Sequence, residues 1–241
     1  MDPALLAARL ARVRENIAAA CDGTGRDPGE IVIVAITKGH PVQTLLAAVE
    51  LGFEDIGENR VQEARVKFEA AGSALTHTRR HMVGHLQRNK VRDALDTFDW
   101  IQSVDTVRLA REMSKRVVGR AEAEASGGLV DVDVLVEVNA SGEGQKHGFD
   151  PADAAEKARE IAVLPGLRTR GVMTMAPWTD DQAILRRTFR AARRVFDDLR
   201  SSEGTRVDTL SMGMSNDYPA AIEEGSTMLR LGTALFGEAG R

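Results

Sequence analysis

The stretch "EIVIVAITKGHP" ends an apolar run in a single lysine, Lys38, followed by glycine, histidine and proline. Lysine supplies a primary amine that attacks aldehydes and ketones once deprotonated, and desolvation lowers its pKa toward that state. Arginine could not replace it. Far along the chain, "SMGMSND" sets Ser211, Met212 and Ser215 around Gly213, and "TMLRLGTALFG" carries Arg230, Gly232 and Thr233. Hydroxyls beside glycines leave backbone N–H groups open to an anion such as phosphate, and a helical turn through "ALFG" would aim further amides at it. Taken singly, each is also an ordinary feature: a lysine leaving a strand is commonly solvated, and Ser, Gly and Thr populate turns.

What must position these residues is an alternation of strands and helices. Ile31 to Ile36 form a continuous, mostly β-branched run, too short for a typical helix, which reads as a strand buried on both faces. Seven more runs read as strands, giving spans 31–37, 53–57, 78–84, 100–105, 132–139, 167–175, 207–213 and 227–233. Amphipathic helical patterns separate them, and one more, "MDPALLAARLARVRENIAAACDG", precedes the first strand. Such alternation implies parallel strands joined by right-handed crossovers. Eight units in 241 residues suit a single α/β domain over residues 1–241, a (β/α)8 TIM barrel with an extra N-terminal helix. A doubly wound sheet fits less well, because no G-x-G-x-x-G turn follows the first strand. "SGGLVDVDV" reads as a loop inside the barrel.

In a barrel the active face is formed by loops after the strand ends, which gathers Lys38, Glu58, Asn59, His85, Gln87, Asn139, Lys146 and His147 with the last two loops. Loops seven and eight are where this fold commonly binds phosphate. Strand alternation puts Arg230 on the face opposite Leu229 and Leu231, so leucines against helices would turn Arg230 into the mouth. Its charge needs a partner there, and a barrel carboxylate such as Glu137 is one alternative. An amine at one end of a pocket and a phosphate cradle at the other would hold an aldehyde-bearing phosphate ester; pyridoxal 5'-phosphate (PLP) meets that description.

Composition narrows the rest. The 32 basic and 36 acidic side chains leave a net charge of -4, which argues against nucleic acid or an anionic membrane as partner. Cys21 stands alone, so neither an internal disulfide nor a thiolate zinc cluster is expected, and a reducing cytoplasm is the natural compartment. No apolar run approaches the roughly 20 residues that span a bilayer. The first helix has neither the basic head nor the cleavage site of a signal peptide. A metal shared by His81 and His85 is not expected, since they fall on a strand and its exit. Trp100 and Trp178 read as packing or rim residues.

"AITKGHP", "GENRVQEA", "HMVGHLQRNK", "GQKHGF" and "LSMGMSNDYPAAIEEGSTMLRLGTALFGE" together resemble, in the same order, the signatures of the pyridoxal phosphate homeostasis proteins. That resemblance implies a barrel related to the N-terminal domain of alanine racemase, carrying PLP as a Schiff base on Lys38. It further implies Asn59 near the cofactor ring, a phosphate held by Ser211, Ser215, Gly232 and Thr233, and Arg230 facing the pyridine nitrogen. A guanidinium keeps its proton, so the ring nitrogen would stay unprotonated and the cofactor would be a weak electron sink. The family often has tyrosine where Arg60 stands and tryptophan where Arg80 stands, and it usually finishes "FG-x-R" where this chain reads "FGEAGR". Those departures concern the pocket rim and the terminal arginine.

The expected function is a cytoplasmic carrier in vitamin B6 homeostasis, without strong catalysis. Its partners would be PLP and PLP-dependent apoenzymes, and it would be a monomer rather than an obligate dimer. A PLP-dependent racemase-like enzyme is the alternative, but it needs a second acid/base from a further domain, and Tyr218, the only tyrosine, lies in the phosphate-side loop. A sugar-phosphate isomerase or aldolase using Lys38 without a cofactor is the third reading.

Overall fold

Each of the eight strand candidates becomes a parallel strand, and in this computed structural model the strands close into a barrel in chain order. Residues 2–123, 131–143, 147–201 and 206–239 are described. The strands are β1 (Val32–Ile36), β2 (Asp55–Glu58), β3 (Arg79–Met82), β4 (Trp100–Val104), β5 (Val132–Glu137), β6 (Leu167–Met173), β7 (Thr209–Ser211) and β8 (Met228–Leu231). Helices α1 (Pro3–Asp22), α2 (Val42–Glu50), α3 (Val61–Ala71), α4 (Val91–Thr97), α5 (Val107–Ala123), α6 (Ala154–Ala162), α7 (Gln182–Arg200), α8 (Tyr218–Glu223) and α9 (Thr233–Phe236) cover the outside. Most strands are shorter than their apolar runs, because the ends of each run leave the ladder to build loops. "SGGLVDVDV" lies between α5 and β5, with its last three residues already in β5 and residues 126–130 outside the described set.

Alternation sorts the side chains into two cores. Val32, Val34 and Ile36 point inward with Val83, Trp100, Leu135, Met173 and Met228, whereas Ala35, Ile56, Met82, Val134, Val136, Leu229 and Leu231 pack outward against the helices. The expectation for Arg230 holds: the flanking leucines face the helices and Arg230 lies inside.

The extra helix α1 is capped by Asp2, whose side chain accepts the Ala4 N–H at 2.9 Å, with Pro3 at its first turn. It buries Leu6, Leu10, Val13, Ile17, Ala20 and Cys21, a stripe with helical spacing, so Cys21 is the small apolar residue its context suggested. Asn16 and Arg26 fasten the N-terminal region to α8, donating to the Tyr218 hydroxyl at 2.7 Å and the Ile222 carbonyl at 3.0 Å. On α7, the "ARRVFDDLR" face carries the expected i,i+4 pair between Arg193 and Asp197 at 2.7 Å. Among the described residues no helix is long and apolar enough to cross a membrane.

Candidate functional site

Lys38 stands two residues beyond β1, on the inward parity of Val34 and Ile36. It is exposed, and among the described residues its amine has no hydrogen-bond or ion-pair partner. The residues on either side are held tightly. Thr37 donates its hydroxyl to Glu58 Oε1 at 2.6 Å and accepts Lys67 Nζ on its carbonyl at 2.7 Å, while Lys67 also reaches Glu58 Oε1 at 2.6 Å. The Gly39 N–H donates to Glu63 Oε1 at 2.7 Å. Thus α3 clamps the turn from below and leaves only the Lys38 side chain free. Glu58, expected at the mouth, is instead fully buried on the outward face of β2, under α3. Burial pushes its carboxyl up, against the pull of Lys67 and Thr37, and its Oε2 has no partner.

The small-residue loops after β7 and β8 lie beside this turn, because β1 pairs with β8 and Val34 stands level with Arg230. The cradle is therefore next to the lysine, not across the pocket as the sequence order suggested. PLP suits that arrangement, since its aldehyde and phosphate arms leave adjacent ring carbons. Ser215 Oγ accepts the N–H groups of Gly232 at 3.3 Å and Ala234 at 3.0 Å, tying the two loops together. The N–H groups of Gly213, Ser215 and Thr233 take no acceptor among the described residues. Gly213 has φ +97°, and a Cβ there would lie 2.8 Å from Ala221 and 3.0 Å from Leu229, so only glycine fits. Partnerless amides beside an open hydroxyl are a donor set that suits a phosphate.

Two members of "SMGMS" have other tasks. Met212 faces the outer core, its N–H donating to the Met228 carbonyl and its own carbonyl accepting the Ser226 hydroxyl, so its N–H is not free for a ligand. Ser211 is fully buried, and its hydroxyl accepts Arg230 Nη1 at 2.6 Å and donates to Gln102 Oε1 at 2.7 Å. That bond begins a chain down the barrel interior. Gln102 Nε2 donates to His81 Nδ1 at 2.9 Å, which leaves the His81 Nε2–H to donate to Asp55 at 2.8 Å, and Arg79 pairs with Asp55 at 2.6 Å. Burial alone would raise the Asp55 carboxyl, but hydrogen bonds from Arg79 and His81 hold it below the usual range. Arg230 spends Nη2 on the Thr174 carbonyl at 2.7 Å, and no ion pair joins it to Glu137. Desolvation brings Arg230 down to about 10, opposed by Asp217 and Glu137, so it stays charged at neutrality.

The sector from β3 to β5 is ionisable. One carboxylate oxygen of Asp105, after β4, lies 3.0 Å from His85 Nδ1 and 3.6 Å from His147 Nδ1, and the two imidazoles stack with centroids 3.7 Å apart. Strand-end position puts both histidines at the mouth, but no linear signal stacks them over Asp105. His81 is inside the barrel, so it shares nothing with His85. Glu137 is 3% exposed on the inner face of β5, and burial, then Asp105, push its carboxyl up to about 7. Asn59 is half-buried at the mouth, its backbone seated on Gly84, where a Cβ would come within 2.4 Å of the Asn59 carbonyl. Arg80 belongs to the opposite end of the barrel, at the start of β3 on Asp99, and is no rim residue; Arg60 is the exposed residue before α3. Trp178 is a rim residue, 88% exposed, and Trp100 is packed inside. Lys146 and the terminal arginine lie outside the described residues.

Residues 8–240 match the family model described as alanine racemase, N-terminal domain. A pyridoxal phosphate homeostasis protein of Pseudomonas aeruginosa is 37% identical over 233 residues, covering 96% of this chain and 95% of its own. One from Escherichia coli K12 is 38% identical over 238 residues, covering 96% of each. The chain belongs to the pyridoxal phosphate homeostasis protein family. Among solved structures similar to this family member, PipY of Synechococcus elongatus PCC7942 with PLP bound matches with a TM-score of 0.81 at 32% identity, over 96% of this chain and 100% of PipY. Alanine racemase of Clostridium difficile 630 matches with a TM-score of 0.76 over 97% of this chain and 56% of its own, at 14% identity, which shows the shared barrel alone.

Proposed function

We propose that this protein binds PLP as a Schiff base on Lys38 and serves intracellular vitamin B6 homeostasis as a monomeric, cytoplasmic carrier that hands the cofactor to PLP-dependent apoenzymes. The observation that carries this reading is the Lys38 amine beside the N–H groups of the loops after β7 and β8, all without partners among the described residues. The bound aldehyde would condense with that amine and release water, which makes holding covalent and reversible. Ser215, Gly232 and Thr233, with the amides of Gly213 and Ser215, would hold the phosphate, and Asn59 would lie beside the ring. Ser211 acts one layer below, fixing Arg230.

Weak catalysis follows from two features. Arg230 is a charged donor locked by Ser211 and Thr174, so facing the ring nitrogen it would keep that nitrogen unprotonated and the ring a poor electron sink. Tyr218 is buried with its hydroxyl on Asn16 of α1, away from the mouth, and cannot act as a racemase base. Reconstitution with PLP should give an absorption band at roughly 420 nm, absent in Lys38→Ala; a colourless wild-type protein would reject the cofactor. Conversion of L-alanine to the D-isomer at about 1 to 1000 per second would reject the carrier in favour of the racemase.

A further inference from the structure

Glu137 is the ionisable group of the mouth that the cofactor reading leaves without a task. It follows Leu135 by two residues on β5, and alternation puts both on the inner face. It is 97% removed from solvent, at 3% exposure, yet among the described residues its carboxyl has no hydrogen-bond or ion-pair partner. An anion so placed is costly. Among the described residues, the charged groups acting on it are Asp105, after β4, which repels, and Arg230 on β8, which attracts. Arg230 is already committed to Ser211 and Thr174. His85 Nδ1 and His147 Nδ1 lie 3.0 Å and 3.6 Å from Asp105 Oδ2. With burial and Asp105 pushing it up to about 7, Glu137 retains a proton to donate near neutrality.

Resting on the cofactor reading, we propose that Glu137 in its acid form donates a hydrogen bond to the phenolic oxygen of bound PLP, so that capture is coupled to a proton and ionisation of Glu137 favours release. The phenolic oxygen flanks the aldehyde arm on the side away from the phosphate. With the phosphate beside β7 and β8 and the aldehyde at β1, that edge of the ring faces the sector from β2 to β5, where Glu137 stands. Ionised, Glu137 would confront an oxygen anion instead. Beyond the condensation with Lys38, the one bond made is the O–H of Glu137, whose proton comes from solvent when PLP binds above neutrality.

The sign follows from linkage. Well below neutrality the acid form is already present and binding costs no proton; above it, each pH unit weakens PLP binding by up to about tenfold, until the higher pKa of the complex is passed. Apo wild type and Glu137→Gln are titrated with PLP from about pH 6 to about pH 9, following the visible band. Glutamine keeps a donor N–H but does not titrate, and the ratio of the two dissociation constants cancels the ionisation of Lys38. That ratio should be near one at about pH 6 and about tenfold or more at about pH 9, with wild type weaker. A ratio constant within about twofold overturns the inference while the band itself upholds the cofactor. No band in either protein overturns both. Independently of the variant, isotope-edited difference infrared spectra of wild type should show a glutamic acid C=O stretch at about pH 8 with PLP bound that is weaker in the apo protein; its absence in the complex also overturns the inference.

Discussion

The two halves of the barrel mouth are built from different materials. The sector formed by β7, β8 and β1 is made of backbone amides, two hydroxyls and one locked guanidinium, with Lys38 as its free titratable group. Across from it, the sector of β3 to β5 is made of Glu137, Asp105, His85 and His147. The first carries fixed dipoles whose strength does not change with pH, and in the second Glu137, pushed up to about 7, changes charge near neutrality. Grip and release can therefore reside in different strands of one pocket.

Substitutions can break this contrast, beginning with the clamp under Lys38. Lys67→Met leaves Glu58 buried without its cation and should cost about 3–5 kcal/mol in urea unfolding, while adding Glu58→Gln should recover much of that. Lys67→Met should also weaken PLP binding, because Thr37 loses the donor on its carbonyl. On the titrating side, Glu137→Gln should stabilise the apo protein. An unburied glutamate titrates near 4.5, and burial in the fold pushes the Glu137 carboxyl up to about 7. In that window the folded state holds the extra proton, so wild-type stability falls as pH rises from 4.5 to 7 and stays low above. The variant should gain about 3 kcal/mol at about pH 8 and nothing at about pH 4.

Two smaller effects sharpen the comparison. Ser211→Ala removes the acceptor of Arg230 and the donor to Gln102 together, and should cost about 1–3 kcal/mol; the visible band of the PLP complex should also shift, since Arg230 loses its orientation. His147→Ala removes a half-exposed imidazole 3.6 Å from Asp105, and should change stability by less than about 1 kcal/mol. A larger loss there, measured by thermal unfolding, would mean that the stacked histidines bear on the fold and not on the mouth alone.

The barrel was legible because short strand runs alternate with helical periodicity along the whole chain; β1 and α1 needed nothing else, whereas β2 (DIGE) and β3 (RRHM) were readable only from that alternation. The places of Lys38, Ser215, Gly232 and Thr233 at neighbouring strand ends were legible because each ends a strand run or stands in the loop after it. Met212 and Ser211 were harder, since the motif sets residues in a row while the strand turns alternate side chains to opposite sides. The same alternation sends Glu58 under α3. The pairing of His85 with His147 on Asp105 depends on barrel closure and left no linear trace. Glu137 did leave one, a carboxylate inside the apolar run "VLVEV", but only the enclosure around it shows that it lacks a partner.

Pairing between β1 and β8 has a consequence for synthesis. The amine after β1 emerges from the ribosome long before the loops after β7 and β8 that would grip the phosphate. A nascent chain would thus own the hook before the seat, and lasting capture would wait until β8 has slotted home beside β1.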